Sequence, residues 1–493
     1  MSDLVVETAS GRVRGATVAA PTGEPICRFL GIPYAAPPVG DLRWRAPQPG
    51  APWAGVRDAL DFGPACPQAE PLASPLPGFR MTETSENCLS LNVWSPDLDG
   101  ARPVMVWIHG GAYVSGGSAQ PVYDAARLAA EGDVVVVTIN YRLGGLGFLA
   151  LDGDADANCG LRDQLAALAW VREHATAFGG DRRSVTVFGE SAGAGSILHL
   201  LGSPRRRGAF DRAIIQSGEP RTLTPDAAAV VTNEIARSVR LEGATPGALR
   251  TVPVERLIAA QADAAAATLA TIGMMPFNPV IDGDVCDRTV LDAVREGRAD
   301  EVPLVIGTTR DELSLFPDPR GDTLDDERLG RWVTRLSPDL DPPHTLRAYR
   351  EQLGTRATNR AVWDALRTDA FMRIPNLRVA DAHAARGALT FVYRFDWEAA
   401  RIGAAHAVDI PFTFGTFDRE GWAAAVGYDE RAEHLSTSIR RAWTTFATTG
   451  APDPGPRWEP YDANTERATL VFAPDGPCLA CDPDGVTRRC WPS

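Results

Sequence analysis

Apolar residues along this chain fall into two rhythms. Residues 103–108 and 134–140 are near-continuously apolar, and 184–188, 212–216, 302–307 and 389–395 are shorter runs of the same kind. Runs of this length without alternation predict strands buried on both faces of a parallel sheet. Between 160 and 178 the period lengthens to that of a helix, with Leu161, Leu165 and Leu168 on one face, and a second helix is expected from the end of 184–193 through Leu201. At the start, 4–6 and 12–14 bracket a Ser10-Gly11 turn and predict a hairpin. The Pro/Gly-studded run 31–40 predicts neither helix nor central strand. Residues 224–271 are Ala-rich and helical in period, so a helical insertion over about 224–300 is expected, either a cap or plain packing helices. Strands alternating with helices predict an α/β fold with a doubly wound, mostly parallel sheet, here as one domain over 1–493.

Charge narrows the partners. The 493 residues carry a net charge of −14, which opposes nucleic acid and anionic membrane surfaces. All 49 basic residues are arginine, which excludes Schiff-base and P-loop lysine chemistry. The N-terminus has no basic-then-apolar leader, and the longest apolar stretch, 134–139, is far short of the ~18 residues a span needs. A cytoplasmic protein without membrane contact is expected, as a monomer or weak homo-oligomer. Cys478-x-x-Cys481 with Cys490 is a weak metal signal, having no histidine nearby, and a surface tail is the better expectation.

The chemistry concentrates in one motif. Gly189-x-Ser191-x-Gly193 lies between an expected strand and an expected helix, where a tight turn exposes a serine hydroxyl at a helix N-terminus. Alone, such a pattern is an ordinary Gly/Ser turn; the strand-to-helix context makes it a nucleophile. His109-Gly110-Gly111-Ala112, after the 103–108 strand, offers backbone N–H groups to an oxyanion, with Ala192 as a further donor. Of seven histidines, His109 belongs to that loop, and His174, His199, His383 and His434 sit in helical patterns. His344 falls in an exposed-looking turn, which leaves His406, in the loop after 389–395, as the base. For the acid, position leaves two strand ends open: Asp311-Glu312 and Asp396.

These residues together resemble the type-B carboxylesterases, a family that includes cholinesterases and bacterial p-nitrobenzyl esterases, nearly end to end. The resemblance rests on Gly31-Ile32-Pro33-Tyr34-Ala35, Arg43-Trp44, Glu86-Asn87-Cys88-Leu89, Asn140-Tyr141-Arg142, Phe188-Gly189-Glu190-Ser191-Ala192-Gly193, Gln216-Ser217-Gly218 and Trp443-x-x-Phe446. Asn87 stands where an acid is usual and Leu313 where many members have Gly. The resemblance implies the α/β-hydrolase fold, a triad of Ser191, His406 and Glu312, oxyanion donors at Gly111, Ala112 and Ala192, and no metal or organic cofactor. It also implies a disulfide between Cys66 and Cys88 in an oxidising compartment.

The implied activity is hydrolysis of small neutral carboxylic esters through an acyl-enzyme. Two rivals stand beside it: a carbamate or amide hydrolase using the same site, and a non-catalytic binding member of the family. Cholinesterases hold their quaternary nitrogen over a Trp between the positions matching Cys66 and Cys88. Here 67–87 contains no Trp or Tyr, and Phe79 is its one aromatic residue, so a cation site is not expected.

Overall fold

The computed structural model describes residues 4–69, 76–77, 81, 83–316, 318–419 and 421–492; Phe79 lies outside them. Among these, strands form one sheet in the order β1-β2-β3-β5-β7-β6-β8-β9-β10-β11-β12-β13, with β4 beside β2. The outer strands are β1 (Leu4–Thr8), β2 (Gly11–Ala19), β3 (Pro25–Pro33), β4 (Val56–Asp58) and β5 (Ser90–Ser95). The inner ones are β6 (Arg102–Ile108), β7 (Val135–Ile139), β8 (Gly180–Glu190), β9 (Arg212–Gln216), β10 (Leu304–Thr309), β11 (Thr390–Phe395) and β12 (Ala468–Ala473), followed by β13 (Gly476–Cys481). From β7 through β12 every pairing is parallel, and the flanks are antiparallel apart from the short β4, which lies parallel to β2. The expected doubly wound, mainly parallel sheet is present.

The continuous apolar runs are continuous because both faces are covered. On β6, Val104, Val106 and Ile108 enter one hydrophobic cluster, while Met105 and Trp107 enter another across the sheet. Helices Pro225–Ser238 and Val254–Thr268 share the first cluster through Val231, Ile235, Leu257 and Ala264. The N-terminal hairpin appears as β1 and β2, but it turns at Ala9-Ser10, one residue earlier than expected, with Gly11 paired to Thr8 as the first residue of β2.

Several expectations change. The Pro/Gly run does contribute a strand, since β3 runs through Pro33 inside the sheet. A register shift between Phe29 and Ile32 admits it: Gly31 sits at φ +66°, and a Cβ there would lie 2.6 Å from the Asp61 carbonyl oxygen. A second helical block, Asp326–Leu336, Pro342–Leu353, Asn359–Thr368 and Ile374–Ala385, lies between β10 and β11 with a small core of its own around Leu329, Val333, Tyr349 and Leu366. His344 belongs to its second helix, which Asp341 caps through the His344 N–H at 2.9 Å. Cys478 and Cys481 are exposed on edge strand β13, not in an irregular tail. No group of His, Cys, Asp or Glu among the described residues forms a metal site, and no described helix is long and apolar enough to cross a membrane. Cys66 and Cys88 are buried, adjacent free thiols: the Cys66 thiol raises the Cys88 pKa, and Cys66 Sγ accepts from the Leu143 N–H at 3.2 Å.

Candidate active site

Every candidate residue lies beyond the carboxyl end of a parallel strand, where ligands of open α/β sheets bind. Ser191 follows β8 directly and caps helix Ala192–Gly202. Its backbone is at φ 56°, ψ −124°, a strained conformation that turns a strand into a helix within one residue. The flanking glycines are required for space. A Cβ on Gly193 would lie 1.9 Å from the Ile108 carbonyl oxygen, and one on Gly189 2.7 Å from the same atom. The elbow is thus wedged against the end of β6, and the Ser191 N–H is anchored to the Gln216 carbonyl at 3.0 Å.

Beside it, the loop after β6 adopts positive φ at Gly111 (115°), Ala112 (52°) and Tyr113 (62°). It is closed by Val114 and Ser115 N–H bonds to the Gly111 carbonyl, both at 3.0 Å. A Cβ on Gly110 would lie 3.0 Å from Ser191 Cβ, so this loop runs against Ser191. Among the described residues, the N–H groups of Gly111, Ala112 and Ala192 have no protein acceptor.

His406 and Glu312 are joined, Nδ1 to Oε2, at 2.6 Å, and both are buried. The other Glu312 oxygen accepts from Ser217 Oγ at 2.5 Å and from the Thr309 N–H at 2.8 Å. The two loops are also stitched together. Asp311 N–H donates to the Ala404 carbonyl at 2.9 Å, Ala404 N–H to Asp311 Oδ2 at 3.2 Å, and His406 N–H to the Glu312 carbonyl at 3.3 Å. Leu313 fits without strain: it is buried in a short 3₁₀ turn, and its N–H reaches Thr368 Oγ1 at 3.2 Å. Asp396, the alternative acid, makes a two-point ion pair with Arg394 at 2.8 and 2.7 Å instead. The buried helical histidines are occupied as packing groups, for example His383 with Thr390 and His174 with the Ala9 N–H.

One residue at the site carried no role in the sequence reading. Glu190 is buried, with Oε1 3.0 Å from His406 Nε2, the nitrogen a catalytic base would use. Burial pushes the Glu190 carboxyl up, with Asp409 and Glu312 adding to the rise against the opposing pull of His406. For His406, burial alone would lower the pKa, but Glu190 and then Glu312 outweigh it and raise it toward about 9. Ser191 Oγ and His406 are not hydrogen-bonded in this conformation; such contacts commonly tighten only in the substrate complex. Gln216 links the region to Asp409 at 2.8 Å and to Trp443 at 3.2 Å.

Comparison with known proteins agrees with this geometry. Residues 2–475 match the profile of the carboxylesterase family. The chain is 39% identical to para-nitrobenzyl esterase of Bacillus subtilis over 96% of this chain and 95% of that one. It is 37% identical to phenmedipham hydrolase of Pseudarthrobacter oxydans, covering 94% and 95% respectively. A solved Geobacillus stearothermophilus carboxylesterase superposes with a TM-score of 0.88 at 37% identity, covering 99% of this chain and all of that one. A serine elbow at the carboxyl edge of an α/β-hydrolase sheet, within a chain matched from end to end in this way, makes this protein a member of the carboxylesterase family and a serine ester hydrolase.

Proposed function

We propose that Ser191, His406 and Glu312 are the triad of this esterase, with Gly111, Ala112 and Ala192 as oxyanion donors. The observation that carries the assignment is the 2.6 Å bond from His406 to Glu312, facing a loop of unpaired N–H groups beside a strained serine. His406 Nε2 takes the Ser191 proton as Oγ attacks the ester carbonyl, and the three N–H groups hold the oxyanion. The imidazolium returns that proton to the departing alkoxide, leaving an acyl-serine. Water, deprotonated by the same nitrogen, then releases the acid. Glu312 fixes the Nδ1–H tautomer and stabilises the imidazolium. The test is labelling by a fluorophosphonate: the native chain labels at Ser191, and Ser191→Ala stays folded with neither labelling nor turnover. Normal labelling of the alanine variant overturns the assignment.

We infer small neutral esters as substrates, with no resident cofactor. The absence of Trp and Tyr from 67–87 supports this, because cation–π attraction at a desolvated site contributes up to ~2 kcal/mol. A neutral thioester isostere should match or exceed butyrylthiocholine in kcat/KM; a tenfold advantage for the charged ester overturns this reading. The relative named as a phenmedipham hydrolase supports a second reading, a wider acyl range that includes carbamates. Phenmedipham therefore belongs in the substrate panel. Cytoplasmic residence and a monomeric or weakly associated state complete the proposal.

A further inference from the structure

Helix Cys159–His174, the start of β8 and the loop after helix Ala192–Gly202 enclose an open groove of about 540 Å³. Five arginines line it, Arg172, Arg182, Arg183, Arg205 and Arg207, against one acid, Glu173. The chain as a whole holds 49 basic and 63 acidic residues, so a five-to-one excess at one cavity runs against its composition. The groove is far from the catalytic centre. Arg183 lies in the first part of β8 and Ser191 follows its end, which at ~3.3 Å per residue puts them roughly 25 Å apart.

The groove is built as well as charged. Arg172 is held in its wall: Nη1 donates to the Arg182 carbonyl at 2.5 Å, Nε to the Ala209 carbonyl at 3.3 Å, and Nη2 lies 2.9 Å from Asp211. That arrangement fixes the backbone on which Arg182 stands. Arg205 is paired with Asp284, and Arg183 lies 3.5 Å from Asp181. Arg182 and Arg207 are exposed and have no acidic partner among the described residues. Two uncompensated guanidinium groups thus flank a cavity whose volume falls within the ~300–1,000 Å³ of small-molecule sites. Guanidinium forks match phosphate and carboxylate oxygens two at a time.

We propose that this groove binds a small polyanion carrying two or more phosphate or carboxylate groups. The remainder of the surface selects for small size: a net charge of −14 repels a long polyanion along most of its length, while a compact one meets only the groove. The site is independent of the esterase reaction, and its test does not depend on that reaction.

Pyrophosphate is the probe, titrated calorimetrically into the full-length protein at fixed ionic strength. A single saturable site is expected, weakened at least tenfold in the double variant Arg182→Gln/Arg207→Gln. Arg457→Gln, a side chain 85% exposed elsewhere, should bind as the native protein does. Turnover of a neutral ester within twofold of native shows that the double variant is folded. The proposal is overturned by an absence of saturable binding, by unchanged affinity in the double variant, or by an equal loss in Arg457→Gln.

Discussion

Two carboxylates contact a single imidazole in this site, and their unequal contacts give them different roles. Glu312 touches Nδ1 and is itself held by Ser217 and Thr309, as an orienting group requires. Glu312→Gln keeps the shape but presents an amide to Nδ1, and is expected to cost on the order of 10⁴ in kcat. Asp396→Asn should leave kcat/KM within tenfold and lower the melting temperature, because Asp396 serves Arg394. Steady-state kinetics and thermal melts of both variants separate the two effects. Glu190 acts on Nε2 through charge. A base must be neutral to accept a proton, so a raised His406 pKa moves the rising limb of the pH–kcat/KM profile to higher pH. An unperturbed imidazole would give a limb at ~6–7; the buried carboxylates place it above that, and activity should still climb beyond neutrality. Removing the charge of Glu190 lowers the His406 pKa, so Glu190→Gln should shift the limb toward acid. A limb that stays in place in that variant would mean Glu190 is already protonated when the base titrates.

Secondary elements became legible in proportion to how far their environment is uniform. The strands from β6 to β11 are apolar because helices cover both faces, and their runs read directly. β5 did not read as a strand although all six of its residues are buried. Its polar Asn92 is paid for across the sheet, donating to Ser118 at 3.0 Å and Thr138 at 2.9 Å while accepting from the Gly31 N–H at 2.9 Å. A polar residue satisfied by distant partners looks exposed in one dimension. The helical block between β10 and β11 escaped notice because it packs around a core of its own. The serine elbow and the glycine loop were readable from local motifs, whereas the Glu190–His406 contact joins residues 216 positions apart and leaves no local pattern. Element packing also sets how the elbow tolerates change. Gly193→Ala puts a methyl group against the Ile108 carbonyl and should destabilise by about 3 kcal/mol, as overpacked cores do. Urea unfolding compared with Ala194→Gly, one residue along the same helix, measures that cost against the loss of one buried methyl group and of helix propensity.

Across the whole molecule, the last residues are tied to the middle. Asp484 is buried and pairs with Arg394 at 2.8 Å and Arg373 at 3.5 Å. Arg373 also pairs with Asp369 at 2.7 Å and donates to the Arg310 carbonyl at 2.6 Å, one residue before the Asp311 stitch. Trp491 Nε1 reaches Tyr349 at 2.8 Å. The sheet, the second helical block and the C-terminal segment therefore meet in one ionic cluster behind the acid loop. Asp484→Asn leaves two arginines short of a buried partner and should cost about 3–5 kcal/mol in denaturant unfolding. A loss below about 1 kcal/mol would show that water already compensates those charges.

The order of parts along the chain has a consequence for biosynthesis. Ser191 and its elbow precede the histidine by 215 residues, and the stitches between the Asp311 and Ala404 loops can form only after both have been made. At ~5–20 residues per second, a ribosome takes roughly 10–40 s to cover that interval. For that time the nascent polypeptide carries the proposed nucleophile without the proposed base, and cannot turn over esters through that triad.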